Sequence, residues 1–242
     1  MSKLKELIDR LCPDGVEYKT IGEIANCYSG ATPKTSIAEY WTDGTIRWMS
    51  SGEVNKKIIL DTDVRISQKG FDSCSTKIVP PNSVVIALAG QGKTRGLVAL
   101  TKVELCTNQS LCAIVPTSDV NSSFLYHYLA SQYQQLRSVS SGDGTRGGLN
   151  LQMVKAYRIP VPPIEVQDEI AKILDRFADY AAELQAELQA ELQARKEQYE
   201  YYRNLLLTFN PSACGCGTDG EQEIKVTNTP PRQLPNNMED YG

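Results

Sequence analysis

Residues 182–193 have the sequence AELQAELQAELQ, which is one tetrapeptide repeated three times in succession. Alanine, glutamate, leucine and glutamine are all strong helix formers. The repeat lies within residues 165–210, a stretch without proline or glycine. The sequence therefore predicts one helix through this stretch, and 44 helical residues would form a rod of about 66 Å.

The predicted helix carries one stripe of apolar residues at spacings that are mostly three and four, which places them on one face. A helix of this length cannot bury such a stripe alone, so we expect it to pair with another helix, in this chain or in a second one, as a coiled coil. The residues of this stripe are Ile170, Ile173, Leu174, Phe177, Leu184, Leu188, Leu192, Tyr199, Tyr202 and Leu206.

The tetrapeptide repeat has two interpretations. It could be an ordinary coiled-coil tract, or its copy number could set a distance. Each copy adds about 6 Å of helix and a rotation of about one turn plus 40°. The strict identity of the three copies favours the second interpretation.

Residues 1–164 have a different character and are predicted to form a compact, strand-rich α/β domain. β-Branched runs bounded by glycine, proline, asparagine or aspartate indicate strands at residues 45–49, 83–88, 96–100 and 111–115. One helix is expected at 123–137, capped by Ser122 or Ser123, with His127 as a packing or surface residue. The prolines of residues 159–164 predict an extended exit from the domain.

Residues 211–242 are rich in glycine, proline, asparagine and threonine and have few large apolar side chains. Such a segment cannot bury enough surface to offset its ordering entropy, so we predict a disordered C-terminal tail. The predicted fold class is therefore α+β: a domain at 1–164, a long coiled-coil-forming helix at 165–210 and a disordered tail at 211–242.

Composition limits the location and chemistry of the protein. No apolar run approaches the roughly 20 residues that span a membrane, and the N-terminus lacks the features of a secretory signal. We therefore expect a cytoplasmic protein without membrane contact. The seven cysteines and single histidine show no metal-ligand spacing, which predicts reduced thiols and no metal site.

The net charge of −4 hides a gradient, because residues 1–165 carry a net charge of +3 and the remainder is acidic. A mildly basic domain is compatible with DNA binding. Residues 87–94 (ALAGQGKT) loosely match a phosphate-binding loop, but the segment that follows indicates a strand and not the required helix. We predict a hairpin with Lys93, Thr94 and Arg95 at its tip, and no catalytic residues in the chain.

Several segments resemble the specificity subunits of type I restriction-modification systems. The most specific is residues 148–170, in which GLNL is followed by IPVPPIEVQDEI at the start of the helix. The tetrapeptide repeat resembles the spacer repeats of part of that family, and the resemblance covers about residues 4–210. The other matching segments are residues 15–24 (GVEYKTIGEI), 29–33 (SGATP), 40–41 (YW), 44–48 (GTIRW), 90–96 (GQGKTRG) and 106–111 (CTNQSL).

This resemblance implies a target recognition domain that binds one half of a split site on double-stranded DNA. It also implies that adenine-N6 methyltransferase (M) subunits and a motor-nuclease (R) subunit assemble on the chain. S-adenosylmethionine, ATP and magnesium would then belong to those partners, and this chain would bind no cofactor.

Family members usually carry two recognition domains and two helices, whereas this sequence shows one of each. It could be a natural half-subunit, a truncated product or one partner of a split pair. The unpaired stripe favours an antiparallel homodimer, which would recognise two inverted half-sites. The alternative is an interaction module that pairs through its helix with a full-length specificity subunit.

The candidate DNA-binding residues are polar side chains in predicted loops that could enter a groove. The resemblance transfers no fixed list of base contacts, because recognition domains differ with their targets. Trp41 and Trp48 are expected in the core. The candidates are Lys34, Thr35, Lys93, Thr94, Arg95, Arg146 and Asn150.

Overall fold

A computed structural model describes residues 3–90, 94–139 and 148–208. The chain divides into two units, Met1–Arg176 and Phe177–Gly242. The mixture of short strands and helices, with one long helix near the C-terminus, confirms the predicted fold class. The predicted tail, residues 211–242, lies outside the described residues.

The strands are short, and most join a sheet with partners distant in sequence. Their bounds are β1 (Tyr18–Thr20), β2 (Ala25–Ser29), β3 (Ile46–Met49), β4 (Ile58–Ile59), β5 (Val64–Ile66), β6 (Val84–Ala87), β7 (Val98–Thr101), β8 (Cys106–Thr107), β9 (Leu111–Pro116) and β10 (Arg158–Pro160). The helices are α1 (Lys3–Leu11), α2 (Ile21–Ile24), α3 (Gln68–Asp72), α4 (Ser122–Ser131), α5 (Tyr133–Val139), α6 (Leu151–Ala156) and α7 (Ile164–Leu207), with 3-10 turns at Ala38–Tyr40 and Ser51–Lys56.

The main sheet has the strand order β2-β9-β6-β7-β4 and carries the core on both faces. Every residue of β6 is buried, because alternate side chains of a strand point to opposite faces. Val84 and Ile86 enter one cluster, which α4, α5 and α6 help to cover, whereas Val85 and Ala87 enter another. This two-sided burial explains why the strand has a continuous apolar sequence.

A smaller sheet, β5-β3-β8, lies beside the main sheet and carries Trp48. Trp48 on β3 is buried, and its ring meets that of Trp41 edge to face with centroids 5.2 Å apart. The expectation that these side chains belong to the core is confirmed for Trp48, and Trp41 packs half-buried against the same cluster.

The predicted helix at 123–137 is two helices, α4 and α5, which meet at Gln132. The Gln132 N–H donates to the carbonyls of Tyr128 and Leu129, which ends α4 before α5 begins. The expected serine cap was also wrong, since the Asn121 side chain accepts from the Phe124 N–H at 2.9 Å. Asparagine and serine are comparable caps, so composition alone did not separate them.

A two-stranded ladder joins two distant segments of the first unit. β1 pairs antiparallel with β10, and Lys19 lies opposite Ile159 in the register. α7 then begins at Ile164 and continues unbroken for 44 residues, close to the predicted 165–210. Val166, Gln167 and Ala171 are its buried residues, and all three lie in its first turns.

Candidate nucleic-acid interface

Four strand ends meet at one edge of the main sheet. β2 ends at Ser29 opposite Cys112, and β6 ends at Ala87 opposite Leu111. β7 begins at the same edge, because it pairs antiparallel with β6. We call the loops at these strand ends the loop edge, and its described residues are 30–35, 88–90, 94–97 and 108–110.

Hydrogen bonds between the loops hold the loop edge together. The Ala31 N–H donates to the Thr107 carbonyl at 3.0 Å. The Thr32 hydroxyl donates to the Gln109 side-chain oxygen at 2.5 Å. Residue 88, which follows β6, is joined to residue 110 before β9 by a backbone bond of 2.9 Å. The loops after β2, after β6 and before β9 are therefore one connected surface.

The loop after β2 approaches the Thr107 backbone so closely that residue 30 must be glycine. A Cβ atom at Gly30 would overlap the Thr107 carbonyl, which is backbone and cannot turn aside. The next part of the loop is fixed by indole donors, because Trp48 donates to the Ala31 carbonyl at 3.0 Å and Trp41 donates to the Lys34 carbonyl at 3.2 Å.

Lys34 and Thr35 are exposed on this anchored loop. Among the residues that the structure describes, the Lys34 ammonium forms no hydrogen bond or ion pair. A fixed backbone that presents a free cation suits contact with a phosphate or a base edge.

The hairpin predicted at residues 87–94 is present, since β6 and β7 are antiparallel neighbours. A strand and not a helix follows Thr94 and Arg95, so these residues are not at the helix N-terminus that a phosphate-binding loop requires. Both side chains are half-exposed, and Arg95 has no ion-pair partner within the described chain. Lys93 lies outside the described residues.

The segment before α6 reaches the same edge. The Leu149 N–H donates to the Leu88 carbonyl at 3.0 Å. Asn150 comes next and is exposed, and its side-chain oxygen caps α6 by accepting from the Met153 N–H at 2.9 Å. That bond uses the oxygen of Asn150 and leaves its amide group as a donor. Arg146 lies outside the described residues.

The described loop edge has the composition of a surface that contacts nucleic acid. It carries Lys34 and Arg95 together with several hydroxyl and amide side chains, and it contains no aspartate or glutamate in the ranges that define it. Lys34, Thr35, Thr94, Arg95 and Asn150, which are far apart in sequence, therefore lie on the connected loops of one sheet edge or in the segment bonded to them.

Sequence reasoning missed the residue that fixes the start of α7. The buried Gln167 accepts from the Asn121 N–H at 2.9 Å and donates to the carbonyls of Asp119 and Pro162 at 3.1 and 2.8 Å. A glutamine within an amphipathic helix resembles a solvated residue, so the sequence carries no signal for this role.

His127 contributes to the same attachment. Its Nε2 lies 2.7 Å from an Asp175 oxygen that also accepts from the Ser123 hydroxyl at 2.6 Å. Burial raises the pKa of the Asp175 carboxyl, but the bonds from Ser123 and His127 outweigh it and leave the pKa below its ordinary value. The expected packing role of His127 agrees with this contact between α4 and α7.

The stripe of α7 changes character along the helix. Ile170 and Ile173 are half-buried. In the second unit the stripe is exposed, and its leucines within the repeat are 48–59% exposed. The exposed members in this unit are Phe177, Leu184, Leu188, Leu192, Tyr199, Tyr202 and Leu206, and Leu174 in the first unit is 38% exposed.

Two further observations concern chemistry and location. Within the described ranges, no three histidine, cysteine, aspartate or glutamate side chains are grouped in a way that could hold a metal ion. No helix of that same part of the chain is both long and apolar enough to cross a bilayer.

The described residues thus form a strand-rich domain with a polar, basic loop edge, and a long helix follows it in the sequence. Residues 13–194 match the family model described as "Type I restriction modification DNA specificity domain". The match covers most of the chain, and the protein belongs to this family.

Named relatives support the same assignment. The chain is 32% identical over 196 residues to the specificity subunit of the type I restriction enzyme EcoR124I/EcoR124II of Escherichia coli, covering 80% of this chain and 48% of that subunit. It is 30% identical over 203 residues to the MjaIX specificity subunit of Methanocaldococcus jannaschii, covering 82% and 44%. The chain thus spans about half the length of these relatives.

A solved structure shares the fold. The HsdS subunit of Thermoanaerobacter tengcongensis matches with a TM-score of 0.55 at 19% identity, over 76% of this chain and 44% of that chain.

Proposed function

We propose that this chain is the specificity component of a type I restriction-modification complex and binds one half of a bipartite DNA target. In this proposal residues 1–164 form the target recognition domain and residues 165–210 form a spacer. The observation that carries it is the loop edge, where the candidate residues from separate loops share one basic and polar surface without carboxylates. Base recognition requires such donors and acceptors on exposed loops.

The second part of the proposal is an antiparallel homodimer through α7. The exposed leucines of the repeat support it, since a helix with such a stripe is stable in water when a second helix covers it. A symmetric pair would place identical recognition domains in inverted orientation, and its target would be a palindrome split by a gap.

The partners in this proposal are the methyltransferase and motor-nuclease subunits. The chain itself would be non-catalytic and would bind no cofactor, while S-adenosylmethionine, ATP and magnesium would act on those subunits. The relatives support this role, because they are specificity subunits of type I restriction enzymes.

A second candidate function is regulation by pairing with a longer specificity subunit. The exposed leucines of α7 support this candidate as well, because the same stripe could pack against a helix of another specificity subunit. If an excess of two-domain subunit displaced this chain from its homodimer and changed the methylated motif, regulation would be the better account.

The deciding experiment is a genome-wide map of N6-methyladenine in cells that express this chain with its methyltransferase subunit. A split palindrome that disappears without the chain is the expected result. An asymmetric motif would mean that a different domain supplies the other half, and no new methylation would contradict the specificity role.

Dimerisation is tested separately by light scattering. The 26.8 kDa chain should give twice that mass, and L184E together with L188E should return it to the monomer mass. The matched control is Q185E with Q189E, which adds the same charges in the same repeat outside the apolar stripe. A monomer mass for the unmodified chain at micromolar concentration would contradict the homodimer.

A further inference from the structure

An open cleft of about 500 Å³ runs along the outer side of β2, the terminal strand of the main sheet. We call it the β2 cleft. Its lining includes Asn26 and Cys27 of β2, Lys77 from the loop before β6 and Lys155 from α6. No aspartate or glutamate is among its described lining residues, although the chain as a whole is acidic.

The backbone of β2 presents donors to this cleft. The Thr117 N–H donates to the Ile24 carbonyl, so Ile24 and Thr117 are a hydrogen-bonded pair at the start of the β2–β9 ladder. In an antiparallel pair, every second residue directs both backbone groups to its partner strand. The backbone groups of Asn26 and Tyr28 therefore face β9, whereas the N–H and the carbonyl of Cys27 both point outward into the β2 cleft, where no further strand of the described chain follows.

The two lysines reach this edge from opposite faces of the sheet. Lys77 lies on the face of Tyr28, with its ammonium 5.6 Å from the centre of the tyrosine ring and the tyrosine hydroxyl donating to the Ile78 carbonyl at 2.8 Å. Lys155 follows Val154, which packs in the same core cluster as Cys27.

Neither lysine has a carboxylate partner among the described residues. Four other lysines of the chain do, since Lys3, Lys19, Lys56 and Lys69 lie within 3.3 Å of a glutamate or aspartate oxygen. The Lys155 ammonium also acts on the thiol of Cys27, a residue that lines the cleft. A hydrogen bond with Cys112 lowers the pKa of the Cys27 thiol, burial raises it, and the Lys155 ammonium lowers it.

We propose that the β2 cleft binds a phosphate group of the DNA backbone between Lys77, Lys155 and the outward Cys27 N–H. This inference rests on the proposed DNA-binding function and adds a contact that fixes the position of the domain without recognising sequence. Two ammonium groups and a backbone N–H, with no competing carboxylate, are the donors that a phosphate requires.

The position of the cleft favours DNA over an acidic protein segment as the source of the anion. Thr76, next to Lys77, donates through its hydroxyl to the Thr107 carbonyl at 3.0 Å. The same carbonyl accepts from Ala31 in the loop edge. The residue before Lys77 is therefore bonded to the carbonyl that anchors the loop edge, which places this side of the cleft near the proposed base-contacting loops, so one duplex could contact both.

The test is the salt dependence of duplex binding, measured by fluorescence anisotropy on the complex of this chain with its methyltransferase subunits. Each lost phosphate contact should reduce the magnitude of the negative slope of log K against log salt by about 0.9, equivalent to about 3.5-fold in affinity over a fourfold range of salt. We expect K77Q/K155Q to lose about one such contact on target and non-target duplexes alike.

The matched control is K57Q. Lys57 is exposed and has no described ion-pair partner, and its carbonyl accepts from Leu100 near β4, at the opposite end of the sheet. The K57Q substitution removes one charge far from the β2 cleft. Because K77Q/K155Q removes two charges, K77Q and K155Q are also measured as single substitutions and compared with K57Q. The magnitude of the salt slope should fall for K77Q and for K155Q, whereas the slope of K57Q should equal that of the unmodified chain.

A second measurement locates the ligand. In the isolated chain, the amide resonance of Cys27 should shift on addition of duplex DNA. A shift with inorganic phosphate but not with duplex would assign the cleft to a free anion and overturn the proposal.

The remaining outcomes are distinct. Unchanged slopes for K77Q/K155Q with intact binding would overturn this inference and leave the proposed function standing. If those substitutions instead weakened assembly with the methyltransferase, the ligand would be protein. Aggregation with unchanged slopes would mean that the lysines only protect a sheet edge. A complex that binds no duplex would contradict the proposed function itself.

Discussion

Gln167 provides the most direct test of how the first turns of α7 are held within the first unit. It is fully buried, and all three hydrogen bonds of its side chain go to backbone groups in the segments before α4 and α7. The substitution Q167E keeps the shape and the acceptor for Asn121 but replaces both donors with an oxygen. The carbonyls of Asp119 and Pro162 would then face an acceptor.

The expected cost follows from these contacts. A buried polar group left without its partner costs about 1–3 kcal/mol, and two carbonyls are affected, so we expect a loss of about 3 kcal/mol in the free energy of unfolding at pH 7. Because burial disfavours the charged form, the introduced carboxyl should have a folded-state pKa above its unfolded value of about 4.3. The penalty should therefore be largest above the folded pKa and should shrink as the pH falls towards 4.

The assay is urea denaturation followed by tryptophan fluorescence, which reports on the first unit because Trp48 is buried there. The control is Q152E, the same change at an exposed glutamine of α6, which should stay within about 0.5 kcal/mol of the unmodified chain. An equally small effect of Q167E, or one that grew at acidic pH, would refute the reasoning.

Three further predictions concern other parts of the chain. Deletion of residues 186–189 should shorten the gap of the methylated motif by one to two base pairs, since it removes about 6 Å of helix; a fixed gap in the methylation map would make the repeat a filler. Hydrogen bonds, led by that from Arg47, lower the pKa of Asp61 to about 2. In urea titrations D61N should therefore be less stable than the unmodified chain above about pH 4, and this difference should disappear as the pH falls towards 2. G30A should lower the free energy of unfolding in urea titrations by about 1–3 kcal/mol or prevent folding, because its methyl group would meet the Thr107 carbonyl; an unchanged free energy of unfolding would mean that the loop moves freely.

Much of the fold was predictable where local patterns are strong. The buried strand β6 has a continuous apolar sequence, and α7 has a periodic stripe without a helix breaker, so both were placed to within a few residues. β4 and β8 have two residues each and pair in parallel with distant strands, β7 and β3. Segments so short have no periodicity, and their existence depends on tertiary contacts.

The sequence predicts individual residues of the candidate interface, but it does not predict that they lie on one surface. Lys34 and Arg95 were identified from loop chemistry, yet their common location follows from the antiparallel order β2-β9-β6-β7. The roles of Gln167 and Lys155 depend on burial and on an open sheet edge, neither of which has a local signature. Lys93 and Arg146 stay predictions.

The ladder between β1 and β10 brings the two ends of the segment 18–160 side by side, with Tyr18 opposite Pro160. A segment whose ends are adjacent can be exchanged between proteins without moving the parts that flank it. Under the proposed function, recombination within the sequence for residues 18–160 would therefore import a new loop edge, and with it a new DNA target, without changing the sequence of the helix. Target specificity would then be a transferable cassette that changes in a single genetic event.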